Sequence, residues 1–130
     1  MEGGYMARKK SPTLTEAELR VMAVLWGRGR ATVSDVVEAL KKTHALAYNT
    51  VLTTLRILDT KGYVKHFKEG RAFVYSARVD RTTAQRSALR HILSRFFDGS
   101  HEDLVLNLLE DDKLDADELK RLKNMISESE

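Results

Sequence analysis

The stretch AYNTVLTTLRILDTKGYVKHFKEGRAFVYSA, residues 47–77, decides the fold. At roughly 100° per residue, Val51, Leu55 and Leu58 stack on one side of a helix, and Asn49, Leu52, Thr53 and Arg56 point the other way. Gly62 stands just past the last periodic position, where a left-handed C-cap belongs. Two runs rich in Tyr, Val and Phe follow, over about 63–68 and 71–77, and a glycine turn joins them into a hairpin. Phe73 and Tyr75 share one of its faces by alternation. A solvated helix face ordinarily carries Lys and Glu, whereas this one carries Asn, Thr, Leu and a single Arg. Such side chains match the hydrogen-bonding edges and methyl groups that base pairs present in a major groove. With Lys68, Glu69, Gly70 and Arg71 at the hairpin tip, the pair reads as a recognition helix and its wing.

Upstream, Thr15 and Glu18 form a T-x-x-E capping box, and Leu14 and Leu19 are spaced for a hydrophobic staple. The helix they start carries Leu19, Met22, Leu25 and Trp26 on one face, with Trp26 as core, and stops at Gly27 to Gly29. Arg30-Ala31-Thr32-Val33 is a short extended piece. A second helix runs from about Val33 or Ser34 to Lys42 with Val36, Val37 and Leu40 inward, and Thr43 to Ala47 turn into the third near Tyr48. Residues 1–13 hold a basic RKKS and the only proline, Pro12, and read as a flexible tail in which Met6 is an alternative native start.

Past Asp80 the pattern is purely helical. Leu89, Ile92, Leu93 and Phe96 mark a fourth helix ending at Asp98-Gly99. Ser100 with Asp103 caps a fifth, which carries Leu104, Leu108 and Leu109. Asp115 with Glu118 caps a sixth, stapled from Leu114 to Leu119, with Leu119, Leu122 and Ile126 apolar. The expected chain is mostly α with a small β-hairpin: a tail over 1–13, a winged helix-turn-helix domain over 14–79 and a three-helix domain over 80–130.

Composition narrows the function. The net charge of +3 is unevenly divided: residues 1–80 hold 14 Lys and Arg against 8 Asp and Glu, and residues 81–130 hold 8 against 11. A polyanion-binding module belongs in the first half, and the second half would be repelled by nucleic acid. Zero cysteines exclude disulfides, thiolate metal sites and cysteine nucleophiles. No apolar run is long enough for a membrane span or signal peptide, which points to the cytoplasm by elimination. His44, His66, His91 and His101 are scattered over four elements without metal-protease spacing, and Asp111 and Asp112 sit in a polar turn. No catalysis, metal or cofactor is therefore expected.

Three short helices with few aromatics make a poor monomeric core. Either they dock on the first half or they bury their apolar stripes against another subunit. The acidic balance argues against docking along the basic face, so a two-fold dimer is the economical answer, with Leu89, Ile92, Leu93, Phe96, Leu104, Leu108, Leu119, Leu122 and Ile126 as its interface.

The blocks LTEAELRVMAVLW at 14–26, LAYNTVLTTLRILDTKGYV at 46–64 and GRAFVYSA at 70–77, with LVLNLL at 104–109, resemble the penicillinase-repressor family of the BlaI/MecI type, over essentially residues 13–128. The resemblance implies a bacterial repressor that binds inverted-repeat operators of TACA/TGTA character as a homodimer. It places base reading at Asn49, Thr50, Leu52 and Thr53. Tyr48 and Arg56 then flank as phosphate contacts, and Lys65, Lys68 and Arg71 on the wing supply sequence-blind attraction. Leu52, if it faces outward, has no packing partner unless it meets a thymine methyl; otherwise it touches the wing or the second helix. Copper-responsive relatives carry C-terminal cysteines, which are absent here. Beta-lactam-responsive relatives are cut by a membrane metalloprotease after an Asn in the fifth helix. Asn107 stands there, followed by Leu108 in place of Phe, so this bond is a candidate cleavage site and a membrane sensor protease a candidate partner. An Asn-Leu pair is also common in any helix.

Two other functions compete with this reading. A winged helix used only for protein contact conflicts with the basic first half and the polar helix face. A regulator with a small-molecule pocket between the halves would need a polar cluster in an apolar setting, and no such cluster is marked in the sequence.

Overall fold

Thr15 begins the first helix as its spacing requires. In the computed structural model, which describes residues 13–128, its hydroxyl accepts from the Glu18 N–H at 3.2 Å and its own N–H donates to the Glu18 carboxylate at 2.9 Å. The expected tail lies, apart from Thr13, outside the described residues. The elements in chain order are α1 (Glu16–Arg28), β1 (Arg30–Ala31), α2 (Val33–Leu40), α3 (Tyr48–Lys61), β2 (Val64–Glu69), β3 (Ala72–Ala77), α4 (Arg81–Phe96), α5 (His101–Leu109) and α6 (Ala116–Glu128). A second capping box, Thr32 with Asp35, starts α2, and Gly62 ends α3 in the left-handed conformation at φ 87°.

The hairpin gains a third strand. The short extended piece Arg30–Ala31 pairs antiparallel with β3, giving the order β1-β3-β2 with Ala31 opposite Tyr75 and His66 opposite Tyr75 on the other side. A lone hairpin is marginal in water, and this extra edge gives the wing its base. The tip is a two-residue turn in which Gly70 takes φ 64°, a left-handed conformation that suits glycine.

The core joins α1, α2, α3 and the sheet through Val21, Met22, Leu25, Val36, Val51, Leu55, Leu58, Tyr63, Val64 and Tyr75. On α1 the expected inward face was rotated. Val21 is fully buried, whereas Leu19 is 47% exposed. Trp26 is half-buried at the core margin, with its indole N–H donating to the Val79 carbonyl at 2.9 Å.

The chain divides into two compact units between Ala88 and Leu89. Val79 and Ala84 belong to the first core, and the Arg81 guanidinium lies 4.9 Å over the Trp26 ring. The second unit contains the rest of α4, with α5 and α6. Its α4 ends through Asp98 and Gly99, both at positive φ, with the Gly99 N–H donating to the Leu93 carbonyl. Among its described residues Leu93 alone is buried.

One buried ion pair ties α1 to α3 within the first unit. The Lys61 ammonium donates to both Glu18 oxygens at 2.8 and 2.9 Å, with the Glu18 side chain 5% and the Lys61 side chain 23% exposed. Burial pushes the Glu18 carboxyl up, but Lys61 and the Thr15 N–H together outweigh it and hold it below its ordinary value of 4.5. The pair's stability is therefore fully present above that value and is lost as the pH falls through the lowered one. Lys61→Met should cost about 3 kcal/mol at neutral pH, the lower end for breaking a buried pair. That cost should shrink toward acid as the orphaned Glu18 takes up a proton. Urea unfolding across the acid range reads both; a cost that stays constant with pH would contradict the pairing.

Candidate nucleic-acid interface

With Val51, Leu55 and Leu58 fully buried, the period of the helix turns Asn49, Thr53, Arg56 and Thr60 to the opposite side. Tyr48, Asn49, Thr50, Thr53 and Arg56 are all exposed on α3. Thr54, buried, donates its hydroxyl to the Thr50 carbonyl at 2.7 Å and so leaves no unsatisfied group. The α3 N-terminus is also distinctive. Side chains accept from the first-turn N–H groups of α1, α2, α4, α5 and α6. Ala47 at the start of α3 offers none, and the first turn has no acidic residue. Uncapped N–H groups and the positive end of the helix dipole there suit an anionic oxygen.

Leu52 is placed differently from the outward position expected of it. It is half-buried and packs against the core cluster. It shares the flank of α3 that also carries Tyr48 and Asp59.

The strand register sorts the wing residues by face. Directly opposed residues share a side of the sheet, which groups His66 and Lys68 with Tyr75 and Phe73, and Lys65, Phe67 and Glu69 with Ser76, Val74 and Ala72. The first of these faces is the one that meets α3. His66 Nδ1 lies 2.5 Å from the Asp59 carboxylate, with the imidazole edge-on to Phe73 at 5.4 Å and tilted on Tyr75 at 5.7 Å. Burial raises the Tyr75 phenol pKa, Arg56 opposes the rise, and Asp59 and Tyr48 add to it, so all three α3 residues lie within electrostatic reach. Lys68 thus lies on the α3 side and Arg71 at the tip, whereas Lys65 projects from the opposite face. On that opposite face, Arg30 pairs with both Glu69 oxygens at 2.8 and 2.9 Å and lies 5.4 Å over the Phe67 ring. This pairing neutralises the only acid at the tip.

The braces Asp59–His66 and Arg30–Glu69 were missed in the sequence, where His66 was one of four scattered surface histidines. Their partners are seven and 39 residues apart, separations that carry no periodic signal. Among the described residues no group of three His, Cys, Asp or Glu is arranged to hold a metal ion, and no helix is long and apolar enough to cross a membrane.

In the second unit the nine residues of the expected interface sit on α4, α5 and α6. Phe96 is 75%, Ile126 60% and Leu108 53% exposed, while Leu93 is buried inside the unit. The exposed apolar surface is broader than the expected stripe: Val105, Leu106, Leu109 and Met125 join it. A helix apolar around most of its circumference, as α5 is, belongs in an interior. Asn107 is exposed on α5, with its carboxamide donating to the Asp103 carbonyl at 2.9 Å.

Known proteins share this arrangement. The family model described as penicillinase repressor matches residues 14–128. The chain is 36% identical to the penicillinase repressor of Bacillus licheniformis, over 92% of its own length and 94% of that protein's. It is 24% identical to the methicillin resistance regulatory protein MecI of Mammaliicoccus sciuri, over 91% and 96%. The solution structure of the DNA binding domain of the repressor BlaI matches it with a TM-score of 0.51 at 39% identity, covering 58% of this chain and 92% of that one. With a winged helix braced to α3 and a family match along nearly all of the described residues, the chain belongs to the penicillinase repressor family and is not an enzyme.

Proposed function

We propose that this chain is a cytoplasmic transcriptional repressor that binds an inverted-repeat operator as a homodimer and blocks polymerase by occupying the site. The observation that carries it is the exposed face of α3. That face bears one carboxamide, hydroxyls and one guanidinium, and the only carboxylate of the helix, Asp59, is turned to the wing and engaged by His66. The names of its relatives, a penicillinase repressor and a DNA binding domain of BlaI, support the same reading. Asn49 and Thr53 read base edges, Thr50 and Tyr48 lie at the uncapped first turn beside phosphate, and Arg56, Lys68 and Arg71 contact the backbone. Lys65 adds charge at longer range, and Leu52 shapes the flank. Failure of the intact protein to bind any duplex at low salt, its own promoter included, would remove this reading.

Dimerisation would bury the apolar surface that the second unit leaves open. The resemblance offers one route of release, cleavage of the exposed Asn107–Leu108 segment by a membrane sensor protease. Fragment masses from induced cells decide it, since a fragment ending at Asn107 is required.

Asn49→Ala should relax discrimination at one base position per half-site by about 1–3 kcal/mol, read from selection on a randomised operator. Unchanged preference at every position would exclude Asn49 as a base contact.

Asp59→Ala tests the brace. Removing a carboxylate beside a polyanion should by charge alone tighten binding, so weaker operator binding with a salt slope shallower by about one phosphate would show that Asp59 positions the wing. Thermal stability should move little, as for other exposed pairs. Tighter binding with an unchanged slope would leave the brace without a role.

Phe96→Glu should convert the dimer to a monomer in sedimentation while helix content is retained. Phe96 is a cleaner choice than Leu93, whose burial within the unit would confuse association with folding. A variant that stays dimeric would remove Phe96 from the interface.

A further inference from the structure

A cleft of about 470 Å³ lies within the first unit, between α1 and the first turns of α4, away from the exposed face of α3. Three small side chains, Ala23 on α1 with Ala84 and Ala88 on α4, leave the hollow open, and Leu19 contributes an apolar wall that is 47% exposed. Trp26 closes one side. Its ring is fixed by the hydrogen bond from its indole N–H to the Val79 carbonyl and by the Arg81 guanidinium 4.9 Å above it.

Arg81 is the only charged residue lining the cleft, and it has no carboxylate partner among the described residues. A guanidinium stacked on an aromatic face keeps its in-plane N–H fork free, and that fork matches a carboxylate. Gln85 adds a neutral amide to the lining. The volume and the mostly apolar lining with few polar groups fit a small-molecule site. Among the described residues the lining holds no acid, which disfavours a cationic ligand.

We propose that this cleft binds a small aromatic carboxylate, its ring against Trp26 and Ala23 and its carboxylate on Arg81. This cleft lies inside the first unit and not between the halves, where the alternative small-molecule reading would have it.

Trp26 is the only tryptophan of the chain, so its emission reports on the cleft directly. Titration of the intact protein with phenylacetate should give a saturable change, and the neutral phenylacetamide should bind about tenfold more weakly, as expected for the loss of a charge-assisted pair. Arg81→Gln should lower phenylacetate affinity by the same factor and leave phenylacetamide unaffected. Ala23→Leu, which fills the hollow from an exposed helical position, should abolish both. Equal affinities for acid and amide, or no saturable change in a protein that melts normally, would overturn the proposal. So would binding that appears only after deletion of residues 1–12, which would make the chain's own N-terminus the occupant. Emission that shifts with protein concentration alone would assign the cleft to a second copy. None of these readouts involves DNA, so failure here and failure of operator binding are distinguishable.

Discussion

The burial of Val51, Leu55 and Leu58 sets the rotation of α3 about its own axis, and what the helix offers to a partner follows from that setting. Each of these side chains contributes roughly 1.5–3 kcal/mol when fully buried, far more than any polar contact on the outer side. Once they face inward, Lys61 is turned toward Glu18 of α1 and Asp59 toward His66 of β2. Thr54 is left inside and satisfied by its own helix. Asn49, Thr53 and Arg56 are the remainder, free of structural duty and exposed. A face with no structural duty and no acid is available for recognition.

The wing depends on the same helix in a different way. The Asp59–His66 and Arg30–Glu69 pairs are exposed, and exposed pairs contribute only about 0–1 kcal/mol each. Their consequence is geometric. One pair holds the α3 side of β2, and the other holds Glu69 from the opposite face, so the hairpin is braced on both sides. Register then separates lysines that look equivalent in the sequence: Lys68 shares a face with His66, and Lys65 does not. Charge alone cannot make that distinction, because strand alternation decides it.

What was legible in the sequence was local. The Thr15 capping box, the Gly62 stop, the inward face of α3 and the helical character after Asp80 are each written within a turn or two of chain, and all appear in the structure. Contacts across the chain were not legible. Glu18 and Lys61 are 43 residues apart, so the capping residue Glu18 gave no sign that it would also be a buried ion. Val21 in place of Leu19, and the packing of Leu52, show the same limit. Periodicity states which residues share a face, whereas the neighbours available to cover that face are a property of the whole fold. The extended character of Arg30–Ala31 was readable, but its pairing was not, because it depends on the edge that β3 offers. For the candidate site, the grouping of Asn49, Thr53 and Arg56 was readable and the braces that position the wing were not.

The two units differ in what they lack. The first closes its own core and leaves a polar, uncapped helix face; the second leaves Phe96, Leu108 and Met125 in solvent and, among its described residues, buries Leu93 alone. The proposed reading face, with one Asn, a few hydroxyls and one Arg, would make few specific contacts, each worth about 1–3 kcal/mol at best. A single copy is thus limited in how tightly it can hold a half-site. In the proposed dimer, joining two copies through the apolar unit would make the second half-site contact intramolecular, which raises affinity without adding any contact to the face. The acidic balance of residues 81–130 suits the proposed joint, which has no need of positive charge. Under the proposed dimer, exposed apolar surface in one unit and sparse recognition in the other are complementary parts of one solution.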